Sequence, residues 1–178
     1  IYFGYYAVVH SLYKMKIKMG DKPLKIFIPF PYSKNAFLNL MPVEIAINWM
    51  LKIMDNDKAI GETFNITNPL PFPMKDICKQ TFEALNIKIS VVGLPKLFVK
   101  LCFSLFYYIS FVIKPFKGLA KKLYYYKYYM TEYNIYDMKN TKDIIGQNLS
   151  DQFHFPDDFI KNLAENFIGK VNEKKNNE

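Results

Sequence analysis

Residues 38–87 read LNLMPVEIAINWMLKIMDNDKAIGETFNITNPLPFPMKDICKQTFEALNI, and the alternation of patterns in this stretch decides the fold class. Asn39-Leu40-Met41 is a short apolar run that stops at Pro42. Proline suits the first turn of a helix, where its missing N–H has no partner in any case. From Val43 to Met54 only Glu44, Asn48 and Lys52 interrupt the apolar residues, at a spacing of four. That pattern predicts a mostly buried helix with one thin polar stripe. Asp55-Asn56-Asp57 ends it. After Gly61, the segment Thr63-Phe64-Asn65-Ile66-Thr67 alternates and is rich in β-branched and aromatic residues, which predicts a strand. The prolines at 69, 71 and 73 bar a helix interior. A second helix follows, with Met74, Ile77, Cys78, Phe82 and Leu85 on one side and Lys75, Lys79 and Glu83 on the other. Strand and helix in alternation predict an α/β layer arrangement.

Working outward, Tyr136-Asp137-Met138-Lys139-Asn140-Thr141 precedes a short helical pattern, and Pro156–Phe167 reads as a closing amphipathic helix. Asp157-Asp158 lie where carboxylates favour a helix N-terminus, and Glu44 does the same in its own first turn. Residues 171–178 are expected to be a disordered tail. The whole chain has 178 residues, long enough for a sizeable core. At 51% hydrophobic it is excluded from the disordered class. Cys78 and Cys102 fit neither a metal spacing nor a disulfide framework, and both are read as small apolar residues of a reducing, cytoplasmic protein. No metal is expected. The start, Ile1-Tyr2-Phe3-Gly4, has no basic region or cleavage site of a secretory leader and no methionine. The chain is therefore taken as a fragment or processed piece.

Charge is concentrated. All 24 basic residues are lysine, against 16 acids. Gly93–Met130 holds seven lysines and no acid, which leaves 17 lysines against 16 acids elsewhere and accounts for nearly all of the net +8. Within it Leu101–Ile113 is a run of 13 uncharged residues, short of the ~20 that span a bilayer. Two readings stay open. The segment is a buried or lid helix of a substrate lobe, or it rests on an anionic membrane surface through Lys114, Lys117, Lys121 and Lys122. Lys121–Tyr129 interleaves lysine with tyrosine, but without arginine or a recognisable module no nucleic-acid partner is expected.

Several of these segments resemble one family. Leu40-Met41-Pro42-Val43-Glu44-Ile45-Ala46 is similar to the (V/I)-P-V-(D/E)-x-(V/A)-A segment of extended short-chain dehydrogenases/reductases, the NAD-dependent epimerase/dehydratase relatives. These include thioester reductases and male-sterility type fatty acyl-CoA reductases. Gly61–Pro69 resembles their G-x-x-(Y/F)-x-(L/I)-T-(N/D/G)-P strand, and Tyr136–Thr141 their late (F/Y)-D-x-(T/S)-(N/K)-(T/A) segment. Tyr5–Lys18 resembles the helix after their active-site strand. The resemblance implies the C-terminal part of an NAD(P)-binding Rossmann-type fold: a helix-rich substrate lobe with a few short strands, carrying the lysine-rich apolar helical insertion at 94–130. It implies hydride transfer with NAD or NADP, in which a tyrosine four residues before a lysine exchanges the substrate proton.

Neither the Tyr-x-x-x-Lys pair nor a glycine cradle for the dinucleotide occurs in this sequence. By the resemblance both belong to a nucleotide-binding half upstream of Ile1. The chain alone is expected to bind no cofactor and to contain no catalytic residue. Its expected role is to hold a small-molecule substrate, with an acyl thioester the favoured class. The resemblance places Phe3–Tyr13 and Asn39–Met41 at the cleft, which makes Tyr5, Tyr6, His10, Asn39 and Met41 the candidate substrate contacts; core packing is the alternative for each. His154, in a loop before Pro156, has no partner by spacing. The rival reading of the whole chain is a non-enzymatic lipid-binding module at a membrane surface, on a degenerate scaffold of the same kind.

Overall fold

The structure, a computed structural model, describes residues 4–20, 23–112, 116–128, 130–133 and 135–176. Three prolines set helix starts. Helix α2 (Val43–Met54) follows Pro42, α3 (Met74–Ala84) follows Pro73, and α4 (Lys96–Ile109) follows Pro95. In each case the fixed φ of proline aims the chain into the helix and its absent N–H leaves no donor orphaned. Helix α3 stops where Asn86 adopts φ 51°, a left-handed turn that asparagine tolerates better than most residues. The remaining helices are α1 (Gly4–Lys18), α5 (Lys117–Tyr126), α6 (Lys139–Ile145) and α7 (Phe159–Asn176).

Strand β1 (Leu24–Ser33) lies parallel to β4 (Ile87–Leu94), and the two-residue strands β2 (Phe37–Leu38) and β3 (Phe72–Pro73) pair antiparallel. The β1–β4 crossover runs through α2 and α3, and α3 packs back on both strands. This makes a mixed α/β architecture with a small parallel sheet, as the alternation at 38–87 implies. The β1–β4 register breaks between Ile26 and Phe30: β1 advances four residues while β4 advances two, from Ile89 to Val91. Pro29 sits in the break, unable to donate to a ladder. The extra residues bulge outward and leave Phe27 and Ile28 about four-fifths exposed.

The main core gathers Leu12 and Met15 of α1, Ile77 and Phe82 of α3, Val99 and Phe103 of α4, Leu119 and Leu123 of α5 and Ile160 of α7 around these strands. A second cluster, Trp49, Met138, Leu149 and Phe153, sits between α2, α6 and the 3-10 turn Leu149–Gln152. The Trp49 indole N–H donates to Gln152 Oε1 at 2.7 Å, so the largest side chain is buried with its one donor satisfied.

Three expectations differ from the structure. Helix α2 buries only Trp49 and Ile53, while Val43, Ile47, Met50, Leu51 and Met54 face solvent; one face finds a partner layer and the opposite apolar face does not. Thr63–Thr67 forms no strand. Its backbone carbonyls are taken by side chains instead, Asn140 Nδ2 donating to Thr63 O at 3.0 Å and Thr141 Oγ1 to Asn65 O at 2.9 Å. The tail expected at 171–178 is helical through Asn176, with the Tyr13 hydroxyl donating to Asn172 Oδ1; residues 177–178 lie outside the described residues.

Candidate functional site

The main core is hollow on its strand side. An apolar cavity of about 390 Å³ lies between β1, β4, α1, α4 and α5. Met15 and Leu12 line it from α1, Ile26 and Phe30 from β1, Phe103 and Phe106 from α4, Leu119 and Leu123 from α5. Its wall also includes Ile28, Val92 and Cys102, all of them exposed, so the cavity opens to the surface beside the β1 bulge and the middle of α4. A smaller void of about 50 Å³ adjoins it, sharing Leu12, Phe30 and Phe82, and is lined by Tyr5, Val8 and Thr81. The break in the β1–β4 register, between Ile26 and Phe30, lies in the wall of this cavity.

The five candidate substrate contacts do not converge. Tyr5 is deeply packed beside the small void; its hydroxyl pairs with Thr81 Oγ1 at 2.9 Å, and burial raises its pKa. A phenol held protonated in this way is poorly suited to exchange a proton near neutral pH. Tyr6 lies outside, its ring 4.9 Å from that of Phe167 on α7. His10 meets the same Phe167 edge-on at 6.4 Å, and burial with the Lys14 and Lys122 ammoniums lowers its pKa. Asn39 makes a closed pair of hydrogen bonds with one backbone residue: its Nδ2 donates to Asn68 O at 2.8 Å and its Oδ1 accepts from Asn68 N at 2.9 Å. Met41 packs on the second cluster. Tyr5 alone borders the apolar cavities, whereas Asn39 holds the loop at Asn68 and Met41 packs on the second cluster.

Among the lysines, Lys117 and Lys121 are exposed on one flank of α5, with Lys117 Nζ 5.5 Å from the Phe111 ring centroid and Lys121 Nζ 5.9 Å from that of Tyr125. Lys122 lies on the opposite flank, close enough to α1 to act on His10. Lys114 lies outside the described residues. Lys96 and Lys100 share Glu132, at 3.0 and 2.8 Å, and hold its carboxylate pKa below the usual range. Among the described residues no group of three or more histidine, cysteine or acidic side chains is placed to hold a metal, and no helix is long and apolar enough to cross a membrane.

The sequence reading missed the cavity. Its strand walls, Ile26, Phe30, Ile89 and Val92, belong to strands that the reading did not single out, and its helix walls had been read only as part of an apolar run. The signal was there in Leu119 and Leu123, and in Phe103 and Phe106, spaced three or four apart on one face. Compared with known proteins, the chain matches no family model, no curated protein and no solved structure.

Proposed function

We propose that this chain is the substrate-binding portion of an NAD(P)-dependent oxidoreductase of the extended short-chain dehydrogenase/reductase kind, on a Rossmann-type fold whose nucleotide-binding half lies in other residues. Within that family the acyl-thioester branch fits better than the sugar-nucleotide branch. The observation that carries this preference is the cavity between β1, β4, α4 and α5. Its wall is almost wholly apolar, and its volume of about 390 Å³ lies in the range of small-ligand sites. A sugar needs convergent donors and acceptors, which this wall does not present; an alkyl chain needs only to leave water. In this reading the cavity takes the acyl tail, and the thioester remains outside, where the missing half supplies the hydride and the proton-exchanging tyrosine. NAD or NADP supplies the hydride when bound there, and this chain positions the acyl group that receives it.

The test is displacement of a fluorescent fatty-acid probe from the purified chain by acyl thioesters of increasing length. Each methylene that enters the cavity should strengthen binding by roughly 0.8 kcal/mol until the cavity is full. Leu123→Trp, which fills the cavity from α5, should abolish the trend with the short thioesters unaffected. Affinity independent of chain length would sink the acyl reading. The family assignment is tested separately by the reading frame upstream of Ile1, where a Gly-x-x-Gly-x-x-Gly and a Tyr-x-x-x-Lys are expected.

A further inference from the structure

Helix α4 has three faces. Val99, Phe103 and Ser110 are buried against the core, while Lys100, Ser104 and Tyr107 meet α5 and its C-terminal turn: Lys127 Nζ bonds Ser104 Oγ at 3.0 Å, and Tyr107 stacks on Tyr124 at 4.5 Å. The third face, Leu97, Phe98, Leu101, Leu105 and Ile109, is apolar and 45–63% exposed. At ~100° per residue these five positions fall within one arc of about 120°, and they run roughly 18 Å along the axis. A helix on a globular surface normally turns its polar face outward; α4 turns an apolar one. Phe27 and Ile28 of the β1 bulge, 83% and 77% exposed, extend the patch on the side where the cavity opens.

We infer that the outward face of α4, together with Phe27 and Ile28, docks on an anionic membrane leaflet, with the mouth of the cavity facing the acyl chains. The charge around the patch selects this partner. The segment at 93–130 carries seven lysines and no acid; of these, Lys96 and Lys100 pair with Glu132, while Lys117 and Lys121 stand exposed beside the patch. Lys117 lies over the ring of Phe111, which is itself 55% exposed just beyond the end of α4, and Lys121 is one turn further along the same flank of α5. An apolar stripe bordered by lysines suits the boundary between lipid tails and anionic headgroups. The exposed face of α2 is the informative contrast. It is comparably apolar, but around it Glu44, Asp55 and Asp57 stand with Lys52 and Lys58, so its surroundings carry no excess of positive charge. The local excess of lysine is thus particular to the α4–α5 side, and the membrane assignment of α4 holds whether or not the protein is a reductase.

The chain carries its own reporter. Cys78 is buried, and burial pushes its thiol up to about 12, whereas Cys102 is exposed beside Leu101 at the cavity mouth. An environment-sensitive fluorophore on the native protein should label Cys102 alone. With vesicles of phosphatidylcholine containing about a third phosphatidylserine, its emission should shift to the blue and be quenched by brominated lipid tails. Co-sedimentation of the unlabelled chain should weaken at least tenfold on pure phosphatidylcholine, and again when salt rises from about 0.1 to 0.5 M. Each lysine near the surface contributes roughly a fivefold gain in binding, so Lys117→Glu with Lys121→Glu should cost more than tenfold. Leu101→Glu with Leu105→Glu, or Leu105→Glu alone, should remove binding while leaving the melting temperature unchanged, because these side chains are already in water. The inference is overturned if the chain ignores anionic vesicles, or if it binds neutral ones equally well. It is also overturned if the fluorophore shifts on raising protein concentration alone, which would make the face a contact between copies.

Discussion

At Asn39 a substrate role and a structural role lead to opposite outcomes. Its amide is consumed by the N–H and C=O of Asn68, a residue 2% exposed. Asn68 in turn accepts the Leu70 N–H on its Oδ1 at 2.8 Å, fixing the turn into Pro69 and Pro71. Asn39→Ala strips the partners from both backbone polar groups of a buried residue, and a buried polar group left unpaired costs on the order of 1–3 kcal/mol. The variant should lose about 2 kcal/mol in urea unfolding while the affinity for a cavity ligand stays unchanged. A variant that kept its stability and lost ligand would return Asn39 to the binding surface. Family resemblance places this residue at the cleft with packing as the alternative, and its two hydrogen bonds to Asn68 favour the packing role. An asparagine that reads a substrate and one that pins a loop have the same side chain, and only the distance to Asn68 separates them.

At the scale of elements, legibility followed how local the determining forces are. Helices α2 and α3 were readable because proline starts, apolar spacing and stop residues all lie within the segment itself. The buried side of α3, Met74, Ile77, Cys78, Phe82 and Leu85, is the one its spacing marks out. Strands depend on neighbours. Thr63–Thr67 has strand composition and finds no ladder among the described residues, whereas Leu24–Ser33 contains two prolines and pairs along most of its length with β4. Which faces are covered is less local still, as the exposed apolar sides of α2 and α4 show. The β1–β4 joint also explains a glycine that composition alone could not. Gly93 stands opposite Tyr32 in the ladder, and a Cβ there would lie 2.8 Å from Lys34 Cγ and 3.0 Å from the Tyr32 hydroxyl. Because the crowding atom on Lys34 is in its stem rather than at its flexible end, Gly93→Ala should destabilise the fold by about 1–2 kcal/mol. Lys34→Ala in the same chain should recover part of that loss, a coupling visible in a double-mutant cycle. Strict additivity of the two changes would mean that the close approach is not what selects glycine.

For the whole molecule, the separation into two hydrophobic clusters sets how it should unfold. The larger one holds the parallel strands and the cavity; the smaller holds Trp49, the only tryptophan. Their junction is a short chain of aromatic rings. Phe155 touches Phe153 of the small cluster at 5.9 Å, and Phe72 and Phe159, on the main core, at 5.0 and 4.4 Å. Phe72 and Phe159 also stack on each other at 5.5 Å, so Phe155 joins the small cluster to a stacked pair on the main side. Tryptophan fluorescence therefore reports the small cluster, and far-ultraviolet dichroism is dominated by the helices of the large one. With the link intact, a small cluster of four buried residues should follow the main core closely through urea unfolding. Phe155→Ala removes the ring that couples them, so the fluorescence midpoint should fall well below the dichroism midpoint, because a cluster of that size cannot hold its own ordering cost. The cavity, which takes no wall residue from the small cluster, should still bind its ligand at urea concentrations where the tryptophan is already exposed. If both probes in Phe155→Ala shifted together and ligand binding were lost with them, the two clusters would be one cooperative unit, and the site would depend on the whole chain rather than on the layer around β1 and β4.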